Sequence, residues 1–190
     1  NVKLLKQSET DQMTGLANRY RLNDYSDKVL DYCYEHRLSL AMEILDIDFF
    51  KQYNDNYGHQ QGDECIIAIA DELKKMEDRQ TFCARYGGDE FIIIYAGASA
   101  EEVYAKAAAL RQNIMDLKLE HLYSKALPIV TISQGISYGV PEEGNRSWDF
   151  LHTADMLLYQ VKKRSRNDIC IADIRGQELD LSSKQEKVEP

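Results

Sequence analysis

Residues 82–95 read Phe82-Cys-Ala-Arg-Tyr-Gly-Gly-Asp-Glu-Phe-Ile-Ile-Ile-Tyr95. Two apolar runs flank a short segment that holds a pair of glycines and a pair of acids. We expect a tight hairpin of two strands, because Gly87 and Gly88 accept positive φ and let a ligand approach the backbone closely. Asp89 and Glu90 lie at its tip and repel each other unless a cation or a substrate lies between them. The hairpin tip is therefore the first place to look for a metal or nucleotide site.

A second acidic cluster ends an earlier strand-like run, Leu40 to Asp46, which continues as Ile47 and Asp48. Because side chains alternate along a strand, Asp46 and Asp48 are expected to point the same way and Ile47 the opposite way. The Ile47 carbonyl is then free to act as a further oxygen ligand. If this strand lies beside the hairpin, Asp46 and Asp89 converge. Such oxygen ligands suit Mg²⁺ bound to a nucleoside triphosphate, because Mg²⁺ takes few carboxylates and completes its shell with phosphate and water.

Hydrophobic periodicity divides the chain into alternating helices and strands. Three- and four-residue spacing predicts helices over 19–36, 62–76, 100–117 and 148–161, with a polar turn over 57–61 before the second. Strands are predicted over 40–46, 82–86, 91–95 and 129–138. The order of strand, helix, hairpin, helix, strand and helix indicates an α+β fold: a ferredoxin-like palm domain with a central mixed, mostly antiparallel sheet flanked by helices.

Length and composition fit one well-buried domain, since the chain has 190 residues of which 44% are hydrophobic and 29% charged. The net charge of −9 and the pI near 5.0 argue against a nucleic-acid polymer as a partner, because binding a polyanion needs a basic face. A single nucleotide needs only local positive charge, which the chain offers at Lys51, Lys162, Lys163, Arg164 and Arg166.

The spacing of the cysteines and the lack of a long apolar run indicate the cellular compartment in which we expect the protein. Cys33, Cys65, Cys83 and Cys170 form no Cys-x-x-Cys pair and lie within apolar patterns. They are predicted to be buried reduced thiols rather than disulfides or zinc ligands. No signal peptide and no run long enough to span a bilayer is visible, so we expect a cytoplasmic location without direct membrane contact.

Several motifs together resemble one known family. The pentapeptide 87–91, Gly-Gly-Asp-Glu-Phe, resembles the signature of the GGDEF family, the diguanylate cyclases that condense two GTP into cyclic di-GMP. Residues 11–19 resemble the family's Asp-x-Leu-Thr-Gly-Leu-x-Asn-Arg opening, with Met13 in place of Leu. Residues 46–63 follow its second block, and 154–167 resemble its last helix, with Ser165 where Gly is usual. The likeness runs from about residue 11 to about 172, in the family's order and spacing.

The resemblance implies an enzyme with the palm fold of nucleotidyl cyclases, in which Mg²⁺ (Mn²⁺ is a possible substitute) assists attack of a 3′-hydroxyl on an α-phosphate of GTP. It implies that Asp46, Asp89 and Glu90 are catalytic. Asp46, Asp89 and the Ile47 carbonyl would hold the metal, and Glu90 would either bind a second metal ion or help to deprotonate the attacking hydroxyl. One chain would carry one half-site, so catalysis would need a homodimer, driven by an upstream sensor or dimerisation domain. Substrate contacts carry over to Phe49, Phe50, Lys51, Asn54, His59, Asp63, Gly87, Gly88, Lys162 and Arg166.

The chemistry of these residues agrees with such roles but also permits structural ones. Asn54 has both a donor and an acceptor, and Asp63 accepts from the N1–H and 2-amino groups of guanine, a pattern that adenine lacks. Each is equally at home as a turn residue or a first-turn helix acid. Lys162 and Arg166 share one helical face and suit β- and γ-phosphates, yet they also suit the dipole of their own helix end. His59 is open to either interpretation.

Other functions remain open from the residues themselves. The alternative for Asp89 and Glu90 is a solvated acidic turn without a ligand. Phe49 and Phe50, considered without their neighbours, are more typical of a hydrophobic core. The main alternative function is a non-catalytic GTP or cyclic di-GMP binding module for signalling, against which the intact acid set argues. A palm-type nucleotidyl transferase that acts on a polymer is more distant, because the net charge is acidic.

One position departs from the family and concerns regulation. The family's product-inhibition site is an Arg-x-x-Asp that would fall on positions 78–81. Asp78 and Thr81 occupy its two key positions, Arg79 is one place off, and Phe82 cannot replace the acid. We therefore predict no inhibitory site and no tight feedback by cyclic di-GMP through this surface.

Both ends of the sequence have the character of linkers. Residues 1–10 are polar and are predicted to be the end of an upstream linker helix. Residues 11–175 are assigned to the GGDEF catalytic domain, and 176–190 to a polar tail that is expected to be disordered.

Overall fold

The computed structural model describes residues 8–181, within which five helices and five strands follow one another. Their bounds are α1 Arg19–His36, β1 Leu40–Ile47, α2 Phe50–Tyr57, α3 His59–Lys74, β2 Thr81–Arg85, β3 Glu90–Ala96, α4 Ala100–Asp116, β4 Ile132–Gly139, α5 Ser147–Arg164 and β5 Ile169–Asp173.

The strands form one sheet in the order β2-β3-β1-β4-β5. β1 is central and pairs antiparallel with both β3 and β4, β2 pairs antiparallel with β3, and only β4 and β5 are parallel. A parallel pair needs a crossover, which α5 supplies between β4 and β5. The predicted α+β fold, a mixed and mostly antiparallel sheet flanked by helices, is confirmed.

Helices cover both faces of the sheet, so β1 is buried along its whole length. Leu40, Met42 and Ile44 pack with α1 and α5 on one face, whereas Ala41 and Leu45 pack with α3 and α4 on the other. This arrangement explains why β1 is a continuous apolar run rather than an alternating one.

A glycine allows α5 to lie close to the sheet. A Cβ on Gly135 in β4 would stand 2.3 Å from both the Ala154 carbonyl oxygen and the Leu158 nitrogen of α5. The helix that carries Lys162 therefore approaches the ends of β4 and β1 more closely than any other residue at position 135 would permit.

Three elements differ from the sequence-based expectation. The segment before the predicted helix 62–76 is itself helical, because Phe50, Tyr53 and Tyr57 form an apolar face that the run of polar residues between them obscures. α3 begins at His59 rather than at Gly62, with Gly58 at φ 89° as the break between the two helices. β5 was not predicted, since its five residues carry no alternation, and β4 begins three residues later than 129.

The ends of the described region pack against the domain. Thr10 bridges to Ala17, while residues 1–7 of the predicted linker lie outside the described residues. In the predicted tail, the Leu179 N–H donates to the Ile171 carbonyl at 3.0 Å, and Leu179 and Leu181 pack against the core. Packing therefore continues to residue 181, because these leucines cover β5, and residues 182–190 lie outside the described range.

The predicted burial of the cysteines is confirmed, since Cys33, Cys65, Cys83 and Cys170 are all buried and none forms a disulfide. None of the helices between residues 8 and 181 has the length and apolar character that a bilayer crossing requires.

One carboxylate lies inside the core, on the α3 and α4 side of the sheet. Glu43 in β1 is completely buried and accepts hydrogen bonds from the Tyr95 hydroxyl at 2.8 Å and the Gln134 amide nitrogen at 2.6 Å. Burial raises the pKa of Glu43 to about 7, and the two hydrogen bonds only partly oppose that rise. The folded protein therefore favours the neutral acid.

We expect the stability of the domain to fall as pH rises because of Glu43. Its pKa is higher in the folded than in the unfolded chain, so the stabilisation is complete below pH 4.5 and is lost as pH rises through about 7. The loss amounts to as much as about 3 kcal/mol of unfolding free energy. Glu43→Gln removes the titration and should gain this amount relative to wild type between pH 4.5 and 8 in urea denaturation. The exposed Glu143→Gln is the control, and equal pH dependence in wild type and Glu43→Gln would contradict the assignment.

Candidate active site

The predicted catalytic acids meet at one edge of the sheet. In the antiparallel pairing of β1 with β3, Asp46 lies directly opposite Glu90, and Asp89 precedes Glu90 in the turn. Lys162, near the C-terminus of α5, forms an ion pair with Asp46 through Oδ2. The structure thus places three carboxylates and one ammonium group together, where two strand ends and one helix end converge.

Burial and mutual repulsion make this group electrostatically unfavourable. Burial raises the pKa of Asp46 to about 7, Lys162 opposes the rise, and Asp89 and Asp48 add to it. Burial also raises the pKa of Asp89, against the charge of Lys162. The pKa of Glu90 is raised by burial first and by Asp89 second. Added positive charge at this edge would therefore be stabilising.

The turn between β2 and β3 is held open by an arginine rather than by glycine conformation. Neither Gly87 nor Gly88 has positive φ, so that part of the expectation is wrong. Arg85 donates from Nε to the Gly87 carbonyl at 3.2 Å and from Nη2 to the Gly88 carbonyl at 2.9 Å, and it pairs with Asp11 at 3.3 Å. The space beside Gly88 is open, because a Cβ on this residue would meet nothing within 4 Å.

Asp48 has a different environment from Asp46, because β1 ends at Ile47. Its carboxylate is fully buried and accepts from the Ser133 hydroxyl at 2.5 Å, the Thr131 hydroxyl at 2.8 Å and the Asn167 N–H at 2.9 Å. Arg166 lies 3.8 Å from it. Asp48 therefore ties the end of β1 to β4 and to the turn that follows α5.

The residues after Asp48 adopt a turn that their own sequence disfavours. Phe49 precedes α2 with φ 54° and ψ 37°, a left-handed conformation that costs a bulky residue roughly 1–2 kcal/mol. The Arg166 guanidinium lies 4.2 Å from the centre of the Phe49 ring, and His121 Nε2 lies 3.0 Å from the Phe49 carbonyl oxygen. Arg166 and Asn167 are also left-handed, at φ 52° and 45°. Tertiary contacts, not local preference, hold both turns.

The predicted base-reading residues lie on the next two helices. Asn54 on α2 has a buried Oδ1 without a hydrogen-bond partner among the described residues. A Cβ on Gly62 of α3 would stand 1.8 Å from that oxygen, so only glycine leaves room for the Asn54 side chain there. The side chains of Lys51, His59 and Asp63 are exposed, and within residues 8–181 no hydrogen bond or ion pair joins them to the carboxylate group.

The donor set fits a hard divalent cation that brings its own phosphate ligands. Between residues 8 and 181, no three His, Cys, Asp or Glu side chains lie in position to hold a metal by themselves. However, Asp46 Oδ1 is buried without a hydrogen-bond partner, beside Asp89 and Glu90. One or two carboxylates completed by phosphate and water is the usual coordination of nucleotide-bound Mg²⁺. The residues therefore fit Mg²⁺ carried on a triphosphate better than a resident protein-only metal.

Sequence reasoning missed three residues that organise this site. The sequence pattern groups Asp48 with Asp46 in one acidic cluster, whereas in the structure Asp48 accepts three hydrogen bonds. Strand periodicity assigns Arg85 to β2 and gives it no other role, and no sequence pattern connects His121 with Phe49, 72 positions away. For Arg85, its place two residues before Gly87 was a usable signal, since carbonyls of a tight turn need donors.

Comparison with known proteins gives consistent matches over most of the chain. A family model described as "Diguanylate cyclase, GGDEF domain" matches residues 8–168. The chain is 34% identical over 168 residues to "Probable diguanylate cyclase DgcC" of Escherichia coli strain K12, which covers 87% of this chain and 43% of that protein. It is 31% identical over 179 residues to "Diguanylate cyclase A" of Treponema denticola, which covers 90% of this chain and 46% of that protein.

A solved structure agrees with these matches. The crystal structure of the GGDEF domain of DgcB from Caulobacter crescentus in complex with c-di-GMP gives a TM-score of 0.79 at 29% identity, over 90% of this chain and 97% of that one. The chain spans less than half the length of the two curated relatives described above, but nearly all of this isolated domain.

We predict that Asp48 is a large contributor to stability. Asp48→Ala leaves two hydroxyl groups, one N–H and a nearby guanidinium without their acceptor, so the free energy of unfolding should fall by about 3 kcal/mol in urea denaturation. Hydrogen exchange at the Asn167 amide should accelerate in the same variant. Asp55→Ala, which removes an exposed acid from α2, is the matched control and should change stability by less than about 0.5 kcal/mol. A comparable effect of the two substitutions would rule out the proposed role.

Proposed function

This chain belongs to the GGDEF family of diguanylate cyclases, and we propose that its domain condenses two molecules of GTP into cyclic di-GMP and two pyrophosphates. The observation that carries the proposal is the meeting of Asp46, Asp89 and Glu90 with Lys162 at one edge of the sheet. A merely structural site would not keep one buried and two partly buried acids together, because their charges repel and desolvation disfavours each of them.

In the proposed reaction the oxygen of a 3′-hydroxyl forms a bond to the α-phosphorus of the other GTP, and the bond to pyrophosphate breaks. Glu90 accepts the proton of the attacking hydroxyl, a role that its raised pKa favours because it makes the carboxylate a stronger base. Asp46, Asp89 and the Ile47 carbonyl are the groups that would hold Mg²⁺, which supplies charge neutralisation on the triphosphate.

The cationic residues at the end of α5 would neutralise the departing pyrophosphate. Lys162 would exchange Asp46 for a phosphate oxygen, since both partners are anions. Arg166 has only a 3.8 Å contact with Asp48 and stacks on Phe49, so its remaining N–H groups are available to a ligand. Lys51, exposed on the first turn of α2, would add a third positive charge near the phosphates.

Guanine recognition is assigned to Asn54 and Asp63. The buried Oδ1 of Asn54 lacks a partner and would accept from the base, and Asp63 would accept from N1–H and the 2-amino group. The exposed His59 begins the same helix as Asp63 and would lie at the rim of the base pocket. Adenine would leave Asp63 without donors, so GTP would be strongly preferred to ATP.

Catalysis would need two domains that face each other, because each contributes one GTP and one set of acids. We propose that residues 11–175 are the catalytic unit and that a preceding segment brings two units together. With GTP as its substrate, the domain would work in the cytoplasm.

We expect purified protein to convert GTP into cyclic di-GMP in the presence of Mg²⁺, with ATP giving no cyclic product, as measured by chromatography. The isosteric changes Asp89→Asn and Glu90→Gln should each lower the rate by at least about 100-fold, because they remove charge without changing shape. Glu143→Gln, an exposed acid far from the site, should keep the wild-type rate.

The alternative of a non-catalytic binding module predicts a different outcome. In that case GTP would bind but no cyclic di-GMP would form at protein concentrations that give a dimer. The rate of cyclic di-GMP formation is measured at increasing concentrations of the protein. A rate that rises with the square of the protein concentration indicates that two half-sites assemble.

The surface at positions 78–81 supports the absence of product feedback. Lys106 on α4 donates to the Asp78 carboxylate at 3.3 Å and to the Thr81 hydroxyl at 3.0 Å. Neither Asp78 nor Thr81 has a guanidinium that could bind the phosphates of the product, and both side chains already bind Lys106. We propose that this domain lacks the inhibitory site of its family.

Calorimetric titration of cyclic di-GMP without GTP should show no binding tighter than about 10 µM at this surface. The double substitution Asp78→Arg and Thr81→Asp restores the Arg-x-x-Asp pattern and should gain affinity by at least about tenfold, because a charged bidentate contact is added. Saturable sub-micromolar binding to the wild type would contradict the proposal.

A further inference from the structure

The left-handed turn at Phe49 is held by a histidine from a distant segment. His121 lies between α4 and β4, is fully buried, and places Nε2 3.0 Å from the Phe49 carbonyl oxygen. A carbonyl oxygen only accepts hydrogen bonds, so Nε2 carries the proton and donates. The same oxygen accepts from the Tyr53 N–H at 3.0 Å, the first hydrogen bond of α2. Two donors therefore fix the direction of this carbonyl.

The His121 ring has no freedom to make another bond. It packs edge-on against Tyr53 at a centroid distance of 5.2 Å and against Tyr57 at 6.2 Å. The backbone N–H of His121, not its ring, donates to the Pro128 carbonyl at 3.0 Å. Nδ1 is buried without a partner in residues 8–181, so the bond to Phe49 is the one hydrogen bond that the ring makes there. The buried imidazole therefore contributes either this one hydrogen bond or its packing volume, and substitutions can separate the two contributions.

The Phe49 turn decides where the first N–H groups of α2 point. Phe49 provides no side-chain cap for the helix, and the N–H groups of Phe50 and Lys51 have no acceptor within residues 8–181. A right-handed Phe49 is intrinsically preferred and would turn these groups away from their present direction. The Arg166 guanidinium stacks on the ring of Phe49, the residue that precedes these groups, so a cation lies near the start of the helix. Unpaired N–H groups at a helix start beside a cation suit phosphate oxygens.

We propose that His121 is a positioning residue for triphosphate binding: by holding the Phe49 carbonyl it keeps the following N–H groups aimed at the phosphates. The inference rests on the proposed GTP site and adds to it a residue that contacts no substrate. The effect is expected on the phosphates rather than on guanine, because the Phe49 carbonyl orients the N–H groups at the start of α2, whereas Asn54 lies one turn further along and Asp63 lies on α3.

The test compares nucleotides that differ in their phosphates. 3′-Deoxy-GTP lacks the attacking hydroxyl and cannot react, so its affinity and that of GMP are measured by calorimetry with Mg²⁺. His121→Leu should weaken 3′-deoxy-GTP binding about tenfold and change GMP binding by less than about twofold. His121→Gln, whose side-chain N–H reaches the position of Nε2, should restore most of the lost affinity.

A second variant separates positioning from general loosening. Tyr57→Phe removes a hydroxyl that accepts from the Leu122 N–H at 3.0 Å and donates to Glu120 at 3.2 Å, so it disturbs the same segment without changing the Phe49 contact. It should keep the wild-type ratio of the two affinities. A wild-type ratio in His121→Leu, or an equal fall in Tyr57→Phe, would overturn the inference. If His121→Leu does not fold, His121→Asn replaces it, since its shorter amide does not reach Phe49.

The proposed function and the His121 inference fail in different ways. If wild-type protein binds 3′-deoxy-GTP but forms no cyclic di-GMP from GTP, the cyclase proposal fails while the affinity ratios still test His121. If the wild type binds neither nucleotide, both proposals are overturned.

Discussion

The antiparallel pairing of β1 with β3, in the register that sets Asp46 opposite Glu90, is the constraint on which this site depends. The register is fixed by packing on both faces, because a slip by one position would exchange the side chains that fit α1 and α5 with those that fit α3 and α4. The same pairing places the acids where water is partly excluded, and this raises the pKa of Asp46 and of Glu90. Apolar packing of the sheet thus supplies the free energy that keeps like charges together.

A second set of interactions converts the strand ends into a shaped site. Asp48 accepts hydrogen bonds from β4 and its preceding residue Thr131 and from the turn after α5, so it links the end of β1 to the end of α5. Around it lie left-handed residues, Phe49, Arg166 and Asn167, each in a conformation that a glycine would adopt more easily. Strain of this kind persists only where surrounding contacts impose it, and it is concentrated here beside the phosphate-binding candidates.

The two faces of β1 carry two buried carboxylates with different roles. Asp46 faces α5 and pairs with Lys162, whose side chain is partly exposed, so the pair lies where a ligand can approach. Glu43 faces α4, is enclosed by Tyr95 and Gln134, and has no route to a ligand. Both have a pKa of about 7 because of burial, which shows that a raised pKa alone does not distinguish a site from a core. The neighbouring acids and the lysine make that distinction.

The sequence alone determined the fold class, the sheet hairpin, four of the five helices and the family, because these depend on periodic burial and on short motifs that are read locally. It did not reveal β5 or α2, since a short buried strand lacks alternation and α2 hides its apolar face among turn-forming residues. Only the tertiary structure shows which side chains position other residues of the site without belonging to the predicted site residues themselves. Asp48, Arg85 and His121 owe their roles to partners brought close by sheet pairing and helix packing, and His121 meets Phe49 across 72 positions of chain. Such contacts are set by the global minimum of packing, which no local pattern encodes.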